Sequence, residues 1–449
     1  MALVGIPNGM AQALIANVNP IYGLYTGIVT TIVGSFRTSS SLMIISLTNA
    51  LALVTGSTLS NLHGEVRIEA LFTLTIMVGL AQLILGLLKL GGIIRFVSDS
   101  VMTGFISAAA VLIILSQLKH IVGIDVGGRV GAAQTWEIFR SIGRVNIQTV
   151  AIGLGTMIIL IILKKSPLRK FSDILGIVLS VVFLALVGWA SIKTVGDIAK
   201  IPNGLPSFSL PNISLAPDLV AGALALAILG LTQSAGISAA FPRPGGKRPN
   251  MSRDFEAQGL ANIAGSFFQA MPAGGSLSAT SLSAAGGART RWAGIIAGSV
   301  LALVVMVAGS AAEVIPLAGL AALLIVAGST ILAERWPHVI QTWRVSKVSA
   351  LAMGVTFTVA ILLSLQLAIY IGVLLSLTLY VYSAATQIQL VELVPTNEGT
   401  YKEQDVSAEL SSNQATILQI RGNFYFASVY ALEEKVPVMD KTRGAIVIL

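Results

Sequence analysis

The stretch FEAQGLANIAGSFFQAMPAGGSLSATSLSAAGGARTRWAG, residues 255–294, holds apolar runs at 256–270 and 277–286 separated by small and hydroxyl residues. The second run is unusually short, and Gly274, Gly275, Ser276 and Ser278 surround its start. Near the other end of the chain Ser46, Thr48 and Asn49 interrupt a second short run at 42–56, and Ser46 and Ser278 stand 232 residues apart. Short, Gly- or Ser-interrupted segments at corresponding positions of two halves point to discontinuous helices in an inverted-repeat transporter. The competing reading is two buried polar helices without special role.

Outward from these segments, apolar runs fall at 2–16, 21–36, 42–56, 69–91, 100–118, 147–163 and 173–190. A second set falls at 218–240, 256–270, 277–286, 293–312, 316–332, 348–365 and 367–386, seven after seven. Of the 449 residues 55% are apolar and 11% charged, against about 25% charged in a soluble protein. That excludes a soluble globule and sets the class as an all-α polytopic membrane protein. The 28 Lys and Arg exceed the 20 Asp and Glu, but they lie in short loops, which argues for a topology signal and against nucleic-acid binding. With the first run starting inside, even-numbered loops hold 16 basic residues, Lys164, Lys165, Arg169 and Lys170 among them, and odd-numbered loops hold 7. Lys and Arg are retained on the cytoplasmic side, so the bias favours fourteen crossings with both termini cytoplasmic; the expected location is a plasma (inner) membrane.

The chain has no cysteine and only His63, His120 and His338, all read as loop residues. Thiolate metal sites are excluded, and no metal, cofactor or catalytic residue is indicated. Without a base near a membrane serine, an intramembrane serine protease finds no support. Beyond Ala384 comes a polar stretch to Gln414, then a strand-like ATILQIRGNFYF, a helical SVYALEEKVPVMDKT and a strand GAIVIL. This is the opening of a small cytoplasmic β-α-β domain whose sheet stops short at Leu449. The first run lacks a basic leader and is no signal peptide. Its abrupt start, with the unfinished sheet, suggests a chain cut at both ends.

The opening IPNGMAQALIANVNPIYGLYTG resembles the first two helices of the SulP sulfate permeases and anion exchangers, solute carrier family 26. The 255–294 stretch resembles their ninth and tenth helices, and GNFYFASVYALEEKVPVMDKTRGAIVIL resembles the start of their STAS domain. The resemblance implies a 7+7 inverted repeat of core and gate bundles over residues 1–386, and the N-terminal part of a STAS domain over 387–449. It further implies a small anion held between the ends of helices three and ten, elevator-like alternating access, and a homodimer in the lipid bilayer.

Two helix N-termini, each carrying about half a positive charge and unpaired N–H groups, can hold one anion without a metal. Ser278, Thr280 and the side chains near Thr48 and Asn49 can add hydrogen bonds, or can simply cap the helices. By the family pattern the anion-facing positions are Asn8, Gln12, Asn49, Gln233, Ser278 and Ala279. Gln12 and Asn49 stand where relatives carry apolar residues, which makes the pocket more polar and favours an oxyanion, unless the amides pair with each other. Gln233 and Ala279 replace a carboxylate and an arginine common in relatives. Their joint loss keeps the charge balance and argues against strong coupling to Na+ or H+. Asp99 and Glu313 are taken as the acids nearest the apolar runs, both at helix ends.

Pro7 is expected to open or kink helix one. Glu256 reads as a solvated charge or a partner of Arg248 or Arg253, 242–250 as a flexible loop, and Arg289 and Arg291 as a topology signal or an anion funnel. The function that follows is secondary transport of a sulfate-like oxyanion, with bicarbonate, a dicarboxylate or an uncoupled channel as alternatives.

Overall fold

The computed structural model describes residues 1–92, 97–124, 132–241, 250–386, 388–396, 400–406, 415–422, 428–437 and 446–448. Arg95, Arg129, the basic loop at 242–249 with Arg248, and part of the RGNFYF and GAIVIL segments lie outside the described residues. The chain forms two compact units, Met1–Val373 and Leu374–Leu449.

The first unit begins with α1 (Ala2–Ile15), α2 (Pro20–Arg37), β1 (Ile45–Ser46), α3 (Asn49–Thr58), α4 (Gly64–Leu87) and α5 (Asp99–Val122). It continues with α6 (Ala132–Arg140), α7 (Ile147–Lys165), α8 (Ser172–Val187), α9 (Ala216–Ala240), α10 (Met251–Phe267) and β2 (Gly274–Gly275). After these come α11 (Leu277–Ala285), α12 (Trp292–Ala308), α13 (Leu317–Val345), α14 (Lys347–Leu362) and α15 (Leu365–Thr386), the last running across the division between the units. Each expected apolar run overlaps one of these helices, but the run at 42–56 is non-helical through Thr48 and helical only from Asn49. Among the described residues eight helices are long and apolar enough to cross a membrane, and α1 and α14 are apolar but shorter. α6 was not anticipated. It is short and amphipathic, with Trp136 and Phe139 exposed and Arg140 lying 5.4 Å over the Trp136 ring.

Two expectations about loops are corrected. α13 continues unbroken through Pro337 to Val345, so His338 is helical, and His120 lies in the last turn of α5. The 29 residues of α13 span roughly 44 Å against a ~30 Å hydrocarbon layer, so charged residues on this helix mark its departure from the apolar zone. α1 likewise runs through Pro7 without a break.

The helices pack as two groups. α1 to α4 pack with α9 to α12, while α5, α7, α8, α13 and α14 pack with one another; α1 against α8 and α13, and α3 against α5, join the groups. In the first group small residues let backbones touch. A Cβ on Gly23 would stand 1.9 Å from the Gly9 carbonyl oxygen, so α1 and α2 cross glycine on glycine.

Because α3 and α11 have only ten and nine residues, each covers about half the hydrocarbon thickness, and the chain before each must satisfy its own backbone. β1 and β2 do so by pairing antiparallel, Ile45 with Gly275 and Ser46 with Gly274. Side chains complete the count. Thr30 and Thr31 donate to the Ile45 carbonyl, Thr280 Oγ1 accepts from the Ile44 amide, and Ser234 Oγ accepts from the Gly275 amide. Asn262 takes both groups of Ala273, its Oδ1 accepting the N–H at 2.7 Å and its Nδ2 donating to the carbonyl at 2.8 Å.

The second unit continues with β3 (Gln389–Pro395), β4 (Tyr401–Asp405), β5 (Ala415–Arg421), α16 (Val429–Glu433) and β6 (Ile446–Ile448). Its sheet has the order β4-β3-β5-β6, antiparallel except for the parallel β5–β6 pair. The β-α-β reading corresponds to β5, α16 and β6. The β3–β4 hairpin lies where the sequence read only as polar, since β4 is wholly exposed and hides no apolar face.

Candidate functional site

The N-terminal ends of α3 and α11 flank the β1–β2 pair. Thr48 caps α3, its Oγ1 accepting from the Leu51 amide, and Ser276 caps α11, its Oγ accepting from the Ala279 amide, both at 3.3 Å. Helix geometry leaves the earlier N–H groups of each first turn without intrahelical acceptors. Next to these ends lies a cavity of about 380 Å³. Asn8 and Gln12, one turn apart on α1, line it together with Ser46, Asn49, Ser278 and Ala279. Lys164, Lys170, Asp173 and Glu334 also line it.

Of the eight expected site residues, Asn8, Gln12, Asn49, Ser278 and Ala279 share this cavity. The other three stand behind it. Thr48 donates its hydroxyl to Gln233 Oε1 at 3.3 Å, so Gln233 braces the α3 cap. Thr280 is fully buried, its hydroxyl turned to the Ile44 amide and away from the cavity.

The sequence reading overlooked several acids. Asp173, in the first turn of α8, accepts from Asn8 Nδ2 at 3.3 Å, and Glu334 is helical and lines the same wall. Asp254 is buried in α10, and Glu256 pairs with Arg37 at 2.9 Å in place of the solvated state or an Arg253 partner. Asp173 opens the run at 173–190, the one signal that marks it in sequence. Asp99 faces His338 at 3.8 Å, and Glu313 accepts from the Ile201 amide at 2.7 Å. Arg291 donates to the Phe36 carbonyl at the end of α2, a helix-capping contact.

Residues 1–356 match the model of the sulfate permease family. The chain belongs to that family. Over 447 residues it is 28% identical to the chloroplastic sulfate transporter 4.1 of Arabidopsis thaliana, covering 96% of this chain and 64% of that one. With prestin of Danio rerio it shares 26% over 457 residues, covering 94% of this chain and 62% of prestin. This family member therefore spans less than two thirds of the length of either relative. It superposes with a TM-score of 0.84 on the murine solute carrier 26 family member A9 anion transporter in the inward-facing state, covering 100% of this chain and 80% of that one at 21% identity. The transmembrane domain of the cyanobacterium bicarbonate transporter BicA gives 0.70 at 22% identity, covering 84% of this chain and 94% of BicA's. At these identities the structural likeness is one of fold. The permease-family fold here is mostly helical and of the integral membrane type.

Proposed function

We propose that the chain carries a small anion, a sulfate-like oxyanion first, across the membrane by elevator-type alternating access. One observation carries the reading: two half-helices begin beside a single cavity whose walls add the Asn8, Gln12 and Asn49 amides, the Ser278 hydroxyl and two lysines. Helix N-termini and neutral donors favour an acceptor-rich anion, and Lys164 and Lys170 balance the Asp173 and Glu334 carboxylates that line the same cavity. In this reading α1 to α4 and α9 to α12 are the core, and the other group is the gate. The thin joint between them supports sliding of one against the other. The reading further includes fourteen crossings in a 7+7 inverted repeat, cytoplasmic termini in a plasma (inner) membrane, and a homodimer. Residues 1–386 form the transport domain and 387–449 the N-terminal part of a STAS domain, for which the mixed sheet speaks.

The test is uptake of labelled sulfate and labelled bicarbonate by the intact chain in proteoliposomes, with chloride, oxalate and fumarate as competitors. Saturable sulfate uptake that trans-anions stimulate is expected. With Gln233 neutral and engaged by Thr48, a sodium gradient is expected to leave that uptake unchanged. Linear current far above exchange flux would identify a channel instead, and sodium-driven uptake would overturn the uncoupled mechanism.

A further inference from the structure

Asn8 and Asp173 belong to different helix groups. α1, which carries Asn8, packs on α2, α3 and α12 as well as on α8 and α13, and α8 packs on α7 and α13. The 3.3 Å bond from Asn8 Nδ2 to Asp173 Oδ2 therefore crosses between the groups, and both residues line the cavity. Slightly earlier in the chain Lys170 makes a second crossing, donating its Nζ to the Ala285 carbonyl at the C-terminal end of α11 over 2.9 Å. The other Asp173 oxygen accepts from the Ser172 hydroxyl at 3.3 Å.

An ionised carboxylate accepts hydrogen bonds and donates none, as does an oxyanion. The amide hydrogen that Asn8 gives to Asp173 is thus one that an oxyanion in the cavity would take, and two anions gathered on one amide repel. We propose that Asp173 is a tethered stand-in for the transported anion. Its carboxylate competes with substrate for the Asn8 amide, and substrate, in displacing it, releases one of the two hydrogen-bonded ties described between the α1 group and the α8 group. Loading and movement are then linked as thermodynamics requires, because the released arrangement is the one that binds the anion better. Asp173 acts through Asn8, as a positioning residue. The inference rests on the cavity being the anion site.

The experiment is a double-mutant cycle on sulfate binding, with labelled sulfate and the purified full chain in nanodiscs: wild type, Asp173→Asn, Asn8→Ala and the double variant. Asp173→Asn keeps the side-chain shape and removes the charge; Asp173→Ser gives a second cycle if the first variant is not monodisperse. The first substitution is expected to tighten the sulfate dissociation constant about tenfold in the wild-type background. In the Asn8→Ala background the gain shrinks to about twofold or less, because the shared donor is gone. Equal gains in both backgrounds would mean general repulsion without Asn8 and overturn the inference, as would no gain at all. A wild-type chain that binds none of sulfate, bicarbonate, oxalate or chloride overturns both the inference and the function beneath it. Binding with additive gains overturns the inference alone.

Discussion

Asp254 carries a carboxylate inside the helical unit with only 1% of its surface exposed, held by hydrogen bonds from three directions. Thr38 Oγ1 donates at 3.0 Å, the Ser39 amide at 2.6 Å and Ser238 Oγ at 3.0 Å, which joins α2, α9 and α10 at one point. Its place in the first turn of α10 adds the favourable end of the helix dipole. Asp254→Asn turns one accepting oxygen into a donor facing a donor. We expect a loss of about 2–4 kcal/mol, read as a lowered thermal midpoint of the detergent-purified chain; an unchanged midpoint would contradict the account. In sequence this residue stands beside Arg253 and Glu256 and looks like a loop charge, because its donors lie some 215 positions upstream and 16 upstream. The cavity residues were more legible. The family pattern singled out Asn8 and Gln12, and Gln12 and Asn49 also stood out as amides among apolar residues that need partners. Thr280 was not separable from Ser278 by type or spacing, yet about 100° per residue around α11 turns it toward Ile44 instead.

At the scale of elements, the shortness of the third and tenth runs was the most informative sequence feature, since ten residues of helix cannot cross alone. What spacing did not reveal is how the preceding backbone is satisfied. Asn262 holds both polar groups of Ala273 from a neighbouring helix, and Gln82 Oε1 accepts a further bond from its Nδ2 at 2.8 Å. Asn262→Leu preserves bulk but leaves a buried N–H and a buried C=O unpaired. A loss of about 2–5 kcal/mol is expected, enough to reduce the yield of monodisperse protein sharply; wild-type yield and thermal midpoint would count against it. The β3–β4 hairpin and the extension of α13 escaped the sequence reading for a common reason. β4 and the far end of α13 carry charged residues on largely exposed stretches, where the apolar pattern that reports burial is absent.

For the whole molecule, orientation is the property the charge bias addresses most directly, and the absence of cysteine makes it easy to measure. Ser207 and Lys165 are both exposed; Ser207 lies in a loop and Lys165 ends α7, at positions assigned to opposite sides. A Ser207→Cys variant is expected to react with an impermeant maleimide in intact cells, and Lys165→Cys only after permeabilisation. The reverse pattern would invert the proposed topology. The two halves of the sequence meet in the short β1–β2 ribbon, so strand register fixes how the two half-helices stand relative to each other. Sliding β1 along β2 by one residue would shift the start of α3 relative to α11 by about 3.3 Å, comparable to the width of a small ion. The rungs Ile45–Gly275 and Ser46–Gly274 therefore act as a calliper, setting the aperture between two positive helix ends by counting residues.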